Sequence, residues 1–284
     1  MIKEKNRLTL LVTVLMFVCF TAWWGVLQII GFLSPSQDLS WSKNIFGSFY
    51  GLLALWGGLL GLIISKKWGG FKSSVGTILI FFSIGLLLQE FGQIVYSYYN
   101  IFAQMEIPYP SVGDVGYFGS VLMYIVGAFL LVKLLILPYK KEDISKKYPV
   151  LLLPVALLAI SYYMFLNGHS FDPNLSLRNF LDLGYPVFQA VYVSLGLIAF
   201  TLCSRSSIGL MKRKMLFLIV ALVSQYASDF TFLYMASRGL PYVGGIVDYL
   251  YLVSYFLMTL AIIELNSVFE RSKNGTVTNG GTVT

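Results

Sequence analysis

Apolar runs long enough to cross a bilayer recur eight times along this chain of 284 residues, and no other feature constrains its fold as much. A spanning helix needs about 20 mostly apolar residues. The runs are approximately Leu8–Leu33, Asn44–Ser65, Ser73–Tyr98, Asp114–Leu137, Val150–Leu166, Leu181–Cys203, Lys214–Met235 and Ile246–Val268. Short connections separate them. Pro35, Pro108, Pro110, Pro173 and Pro241 fall in alternate connections, where breaking a helix is harmless. A spanning β-barrel would instead give short alternating segments, and none stands out. The expected fold is an all-α, polytopic membrane bundle of eight transmembrane helices. Residues 1–270 would form one domain. The polar, Gly-rich residues 271–284 would form a disordered cytoplasmic tail.

Composition supports the same class. Only 12% of residues are charged and 57% are hydrophobic. Soluble domains carry about 25% charged residues, so this chain cannot coat a water-facing surface. Disorder throughout is excluded by the same hydrophobicity. The basic start (Lys3, Lys5, Arg7) precedes an apolar run too long for a signal peptide, so the first span is read as retained.

The bases are sorted. Seventeen of the 20 Lys and Arg fall in the N-terminus, the tail and the connections after the second, fourth and sixth spans. Only Lys43, Arg178 and Arg238 fall on the other side. Loops rich in Lys and Arg stay cytoplasmic, which places both termini there in a cell membrane and makes the span count even. The net charge of +7 then describes topology, with the lipid bilayer as partner and no nucleic acid.

Several chemistries are excluded. Cys19 and Cys203 cannot make a disulfide framework or a zinc site, and the single His169 rules out paired axial haem ligands. There is no Walker loop, GxSxG or HExxH. No catalytic residue, metal or cofactor is expected. No lysine lies mid-membrane in the last spans, so a retinal Schiff base is not expected. Asn174 opens a glycosylation sequon on the outer side that chance also explains.

An Asp-x-x-Tyr pattern opens three even-numbered spans: Asp114 with Tyr117, Asp182 with Tyr185, and Asp248 with Tyr251. Asn44 and Gly47 occupy the matching place in span two, and the spacings are 70, 68 and 66 residues. Near-constant spacing suggests a helical hairpin copied four times. One helix face then carries Tyr117, Val121 and Tyr124; in the next copies, Tyr185, Gln189 and Tyr192, then Tyr251, Tyr255 and Met258. In span two that face is Gly47, Gly51, Ala54, Gly58 and Gly61, a stripe suited to close helix packing. Spans three and seven carry polar i,i+4 pairs, Gln89/Gln93 and Gln225/Asp229.

Glu90 and Asp229 lie within the outer part of the bilayer, where an ionisable group is costly and faces the bundle interior. Asp114, Asp182 and Asp248 sit at expected helix N-termini, where capping is the plainer role. Tyr124 and Tyr192 lie too deep for an interfacial aromatic belt. Together Asp229, Gln225, Glu90, Gln93, Asp248, Asp114, Tyr124 and Tyr192 would form an outward-facing, acidic, Tyr-lined pocket for a small-molecule or cationic ligand. The functions that suit such a pocket are a sensor, a transporter or channel for a cation or polar solute, or a lipid-modifying enzyme using Glu90 and Asp229 as acid and base.

The string Tyr109-Pro-Ser-Val-Gly-Asp114-Val-Gly-Tyr117 resembles the YPS-x-x-D-x-x-Y element of a multi-helix membrane sensor domain. Such domains stand N-terminal to GGDEF, EAL or histidine kinase modules in microbial signalling proteins. The resemblance continues in Gly184-Tyr185-Pro186, in Ser228-Asp229-Phe230 and in Gly244-Gly-Ile-Val-Asp248-Tyr-Leu-Tyr251, over roughly Gly85 to Leu265. Gln189 stands where those domains tend to have Asp. The resemblance implies a sensory input module; with only a short polar tail after Arg271, the expectation is either a stand-alone relative or a module that signals through a cytoplasmic partner.

Overall fold

Inside a bilayer no water satisfies the backbone, so each apolar run must close its own hydrogen bonds as a helix. The computed structural model describes residues 2–105, 107–136, 152–166, 176–205, 209–238 and 240–278, which contain helices and no strand. Helix α1 spans Ile2–Leu33. The second run is split into α2 (Ser40–Phe49) and α3 (Leu52–Lys67). Helix α4 (Ser74–Ser97) ends in a π turn, Tyr98–Ala103, and α5 covers Val112–Ile136. Helix α6 is short, Leu152–Ser161, and runs into a π turn at Tyr162–Leu166. Helices α7 (Ser176–Arg205), α8 (Gly209–Ser237) and α9 (Ile246–Thr278) follow.

Among the described residues, seven stretches are long and apolar enough to cross a membrane, with α2 and α3 counted as one. The fifth expected run, Val150–Leu166, is the difference. Its described helix is only ten residues, and Val150 and Leu151 lie outside the described residues. Helix α9 continues to Thr278, into the segment expected as a disordered tail. Residues 279–284 lie outside the described residues, as do His169 and Asn174.

Six helices pack as a closed ring. Helix α3 contacts α4, α4 contacts α5, α5 contacts α7, α7 contacts α8, α8 contacts α9, and α9 returns to α3. Helix α1 lies outside the ring against α9 and α2, and α6 lies outside against α7. Exposed Leu8, Leu15, Ile29, Ile63 and Phe129 give the outer surface the apolar character that lipid contact demands.

Contacts fix the directions. Phe17 stacks on Phe256 with centroids 4.0 Å apart and Trp24 on Tyr249 at 4.3 Å, so α1 and α9 are antiparallel. Trp24 and Gln28 donate to the carbonyls of Gly245 and Gly244, at 3.0 and 2.9 Å. Gly244 has φ 67°, a conformation glycine adopts without the steric cost of a Cβ. Helices α5 and α7 run parallel: Phe118 packs edge-on against Tyr185 near their starts, and Tyr124 against Tyr192 a few turns on.

The small-residue stripe of the second span does what its composition suggests. A methyl group on Gly58 would sit 2.7 Å from Leu87 Cγ and 3.0 Å from the Ser83 carbonyl oxygen of α4, and one on Gly61 would sit 2.1 Å from Ser83 Oγ; neighbouring Gly57, outside the stripe, approaches Thr259 Oγ1 of α9. Backbone contact of this closeness is open only to glycine.

Candidate functional site

The site begins with a broken helix. Gln93 Nε2 of α4 donates to the Gly47 carbonyl. In an unbroken helix that carbonyl would take the N–H of Gly51. A side chain inserted into the hydrogen-bond ladder interrupts a helix, and the second span is interrupted here, at Tyr50–Gly51. Gln93 Oε1 in turn accepts from Tyr50 and Tyr117 hydroxyls at 3.2 and 2.9 Å. One amide therefore ties α2, α4 and α5 together.

Asp229 of α8 is the second node. Its carboxylate accepts from Tyr192 of α7 at 2.6 Å, Tyr251 of α9 at 2.9 Å and Gln225 at 3.0 Å. Gln225 Oε1 accepts from Ser254 of α9 at 2.7 Å. Gln89 repeats the pattern on the other side of the ring. It donates to Ser120 at 2.7 Å and accepts from Tyr255 at 3.1 Å. Buried polar groups keep their cost low by such pairing, and here each pair also fastens two helices.

The three Asp-x-x-Tyr acids divide. Asp114 does cap α5: its Oδ2 accepts from the Ser111 N–H at 2.7 Å, while Ser111 Oγ accepts from the Gly113 N–H at 3.1 Å. This is the reciprocal arrangement of a capping box. Its Oδ1 also accepts from Tyr185 of α7 at 2.8 Å. Asp248 holds the turn before α9 through the Gly244 N–H at 2.6 Å. Asp182 is not at an N-terminus, contrary to expectation, because α7 already begins at Ser176. It accepts instead from Tyr109 at 2.8 Å, with Arg178 Nε at 3.9 Å. Burial and this bond to Asp182 hold the Tyr109 phenol well above its ordinary pKa. Burial, followed by the charge of Asp248, raises Tyr242 in the same direction.

These groups surround a cavity of about 740 Å³ inside one end of the ring. The volume lies within the usual range for small-molecule pockets, about 300–1,000 Å³. Lys66, Lys67, Lys72 and Lys133 mark the opposite end, at the C-termini of α3 and α5 and the turn before α4. The lining reaches Gln89 on α4, Val121 on α5, Gln189 on α7, Asp229 on α8 and Tyr251 on α9, and goes no deeper on those helices. Below that level the ring is filled. Tyr124, Tyr192 and Tyr255 are buried there with Phe82, Leu86 and Met258. Their rings pack against one another, Tyr124 on Tyr192 at 5.9 Å and on Phe82 at 6.2 Å. Among the described residues the cavity is a blind pocket.

Of the eight expected site residues, Asp229, Gln93, Asp248 and Asp114 line this pocket. Gln225 and Tyr192 stand behind Asp229 and hold it. Tyr124 belongs to the plug beneath, and its hydroxyl has no hydrogen-bond partner among the described residues. Glu90 is not among the lining residues. It is 3% exposed and packs against Gly51 at the helix break, with Oε2 unpartnered among the described residues. Of the two acids read as an acid–base pair, the pocket wall carries Asp229 and not Glu90. No cluster of three or more metal-ligating side chains exists among the described residues.

Gln189, Arg178 and Arg238 also line the pocket and were not expected as site residues. Gln189 was legible as the middle member of the Tyr185–Tyr192 face. The arginines counted only toward topology. No protein-family model, curated protein or solved structure matches this chain.

Proposed function

We propose that this protein is a membrane sensor or ligand-binding module whose acidic, Tyr-lined pocket opens outward and takes a small polar ligand. The observation that carries this reading is the blindness of the pocket. A transporter needs a polar path or an alternating one through the whole bundle, and below the pocket the described residues of the ring are packed mainly with aromatic and aliphatic side chains, with Ser83 and Thr259 bonded back to their own helices. A ligand signals only by favouring one helix arrangement over another. The ring suits this, because Asp229, Gln93 and Asp114 each hold hydrogen bonds to neighbouring helices at the pocket wall. Helix α9 would carry the change, since it lines the pocket at Asp248 and Tyr251 and runs the full length of the bundle. In this proposal both termini are cytoplasmic, a cytoplasmic partner reads the state of α9, and the chain crosses the membrane eight times. The parallel, adjacent α5 and α7 favour eight crossings, because the chain must return between them.

Thiol accessibility tests the proposal. In a Cys19→Ser, Cys203→Ser background, Gln189→Cys is expected to react with a membrane-impermeant thiol reagent added outside. Met258→Cys, below the floor, is expected to react from neither side. Labelling of Met258→Cys from the cytoplasmic side would replace the sensor with a transporter. Labelling of Gln189→Cys only from the cytoplasm would reverse the topology.

A further inference from the structure

One carboxylate in the pocket has no positive counterpart. Asp114, Asp182, Asp229 and Asp248 line the cavity, against Arg178 and Arg238. Arg178 is already engaged, 3.9 Å from Asp182 and 5.7 Å from the centre of the Tyr109 ring. Arg238 is exposed and lies 3.9 Å over the Tyr234 ring. Asp114 and Asp248 stand in the first turns of α5 and α9, where the positive end of each helix dipole offsets a negative charge. Asp229 has neither kind of compensation. It lies about two turns before the C-terminus of α8, and no Lys or Arg pairs with it among the described residues. Its partners Tyr192, Tyr251 and Gln225 are all neutral. Their three bonds leave open one of about four lone-pair sites on an ionised carboxylate.

An unused amide stands beside this carboxylate. Gln189 is 4% exposed and lines the same cavity, yet its side chain has no hydrogen-bond partner among the described residues. It sits about one turn toward the mouth from Tyr192 on the same face of α7, and the Tyr192 hydroxyl is bonded to Asp229. A buried amide ordinarily finds partners, so the Gln189 carbonyl is an acceptor on offer to whatever enters. The walls above are largely apolar. The hydroxyls of Tyr117, Tyr185 and Tyr251 are committed to Gln93, Asp114 and Asp229, which leaves their rings as the surface they offer. Val121, Pro186 and Phe232 line the cavity with them. Aromatic rings attract a cation as well as an apolar body. We propose, resting on the ligand-binding reading above, that the occupant is a primary ammonium on an apolar body, its N–H groups donating to Asp229 and to the Gln189 carbonyl and its body lying against the tyrosine rings. An ammonium carries three donors and no acceptor, which matches two acceptors at one floor. A carboxylate on the same molecule would meet Asp114, Asp182 and Asp248 nearer the mouth and be repelled.

The test titrates 2-phenylethylamine calorimetrically into the full chain in lipid nanodiscs, with empty nanodiscs as the blank. Three relatives separate its features: 2-phenylethanol lacks the charge, the N-trimethyl derivative keeps the charge without N–H donors, and phenylalanine adds a carboxylate. The amine is expected to bind about tenfold or more tightly than each of them. Gln189→Leu breaks no hydrogen bond among the described residues. It is expected to weaken the amine about tenfold and to leave the trimethyl derivative unchanged. Asp229→Asn is expected to remove the preference for the amine over the alcohol. Equal or tighter binding of any of the three relatives by the parent chain would overturn the primary ammonium. An equal loss of amine and trimethyl derivative in Gln189→Leu would overturn the N–H contact to Gln189. Absence of saturable binding of both 2-phenylethylamine and butylamine at millimolar concentration would also overturn the proposal. If Gln189→Cys is still labelled from outside in that case, only the ammonium falls; if it is not, the pocket reading falls with it.

Discussion

Gly51→Ala should change the sign of its effect according to what stands at position 90. Gly51 has φ −64° and ψ −18°, ordinary right-handed helical values that alanine shares. At a compatible position, replacing glycine by alanine stabilises by about 0.4–1 kcal/mol through the unfolded chain. Space opposes this gain. The new Cβ would lie 2.0 Å from Glu90 Oε2, 3.2 Å from its carboxyl carbon and 3.3 Å from Gln93 Cγ. Comfortable separation of such atoms is about 3.5 Å, so the carboxyl group must retreat by more than an ångström. Glu90 is 3% exposed and has no water to retreat into. Overpacking of this kind costs about 1–3 kcal/mol, which outweighs the backbone gain. In a Glu90→Ala background the obstacle is gone, and Gly51→Ala should stabilise. The double-mutant cycle should therefore show a coupling of about 1–3 kcal/mol between the two positions. Reversible unfolding in bicelles, followed by circular dichroism, measures all four corners. An equal effect of Gly51→Ala in both backgrounds would refute the placement of Glu90 against the helix break.

Tyr192→Phe removes one donor to Asp229 and should cost about 0.6–1.7 kcal/mol in the same assay, the range for hydrogen bonds between membrane helices. Gly85→Ala would place a methyl 2.3 Å from Tyr124 Cε1; this ring cannot step aside, so a loss of about 1–3 kcal/mol is expected, and Tyr124→Leu in the same chain should relieve it. Tyr109 has a folded pKa above the ordinary phenol value of 10.0, so the folded state holds its proton more tightly. The stability this contributes is complete below about pH 10 and falls as pH rises toward the folded value. Thermal unfolding midpoints of the parent should drop more steeply above pH 10 than those of Tyr109→Phe, and identical slopes would contradict the Tyr109–Asp182 bond.

Periodicity and polarity carried much of this architecture in the sequence. The apolar runs marked seven long spans, and the stripe through Gly51, Gly58 and Gly61 marked close helix packing. The +3, +7, +10 faces of spans four, six and eight do point into the ring, because burying hydroxyls and amides requires partners that only the interior offers. Ring closure was not legible. Nothing in the composition of α3 or α9 says that they touch, since lipid and protein neighbours are equally apolar. The placement of Glu90 was missed for a related reason. A helix carrying Gln89, Glu90 and Gln93 has polar groups pointing in two directions, and sequence alone cannot say that Gln89 and Gln93 hold the pocket wall while Glu90 faces Gly51. Arg178 and Arg238 were overlooked because a base near a membrane surface explains itself as solvated.

The closed ring has a consequence for how the protein is made. Its seam joins α3 to α9, and the bond from Tyr255 to Gln89 links residues 166 apart in the chain. Helices leave the ribosome in order, so α4 and α8 must enter the bilayer carrying Gln89 and Asp229 before Tyr255 and Tyr251 exist. Until α9 arrives there is no enclosed pocket, only an open crescent with polar groups turned toward lipid. The last helix thus completes the binding site and ends the exposure of its predecessors in one event, and any chain stalled before that point would be a ready client for membrane quality control.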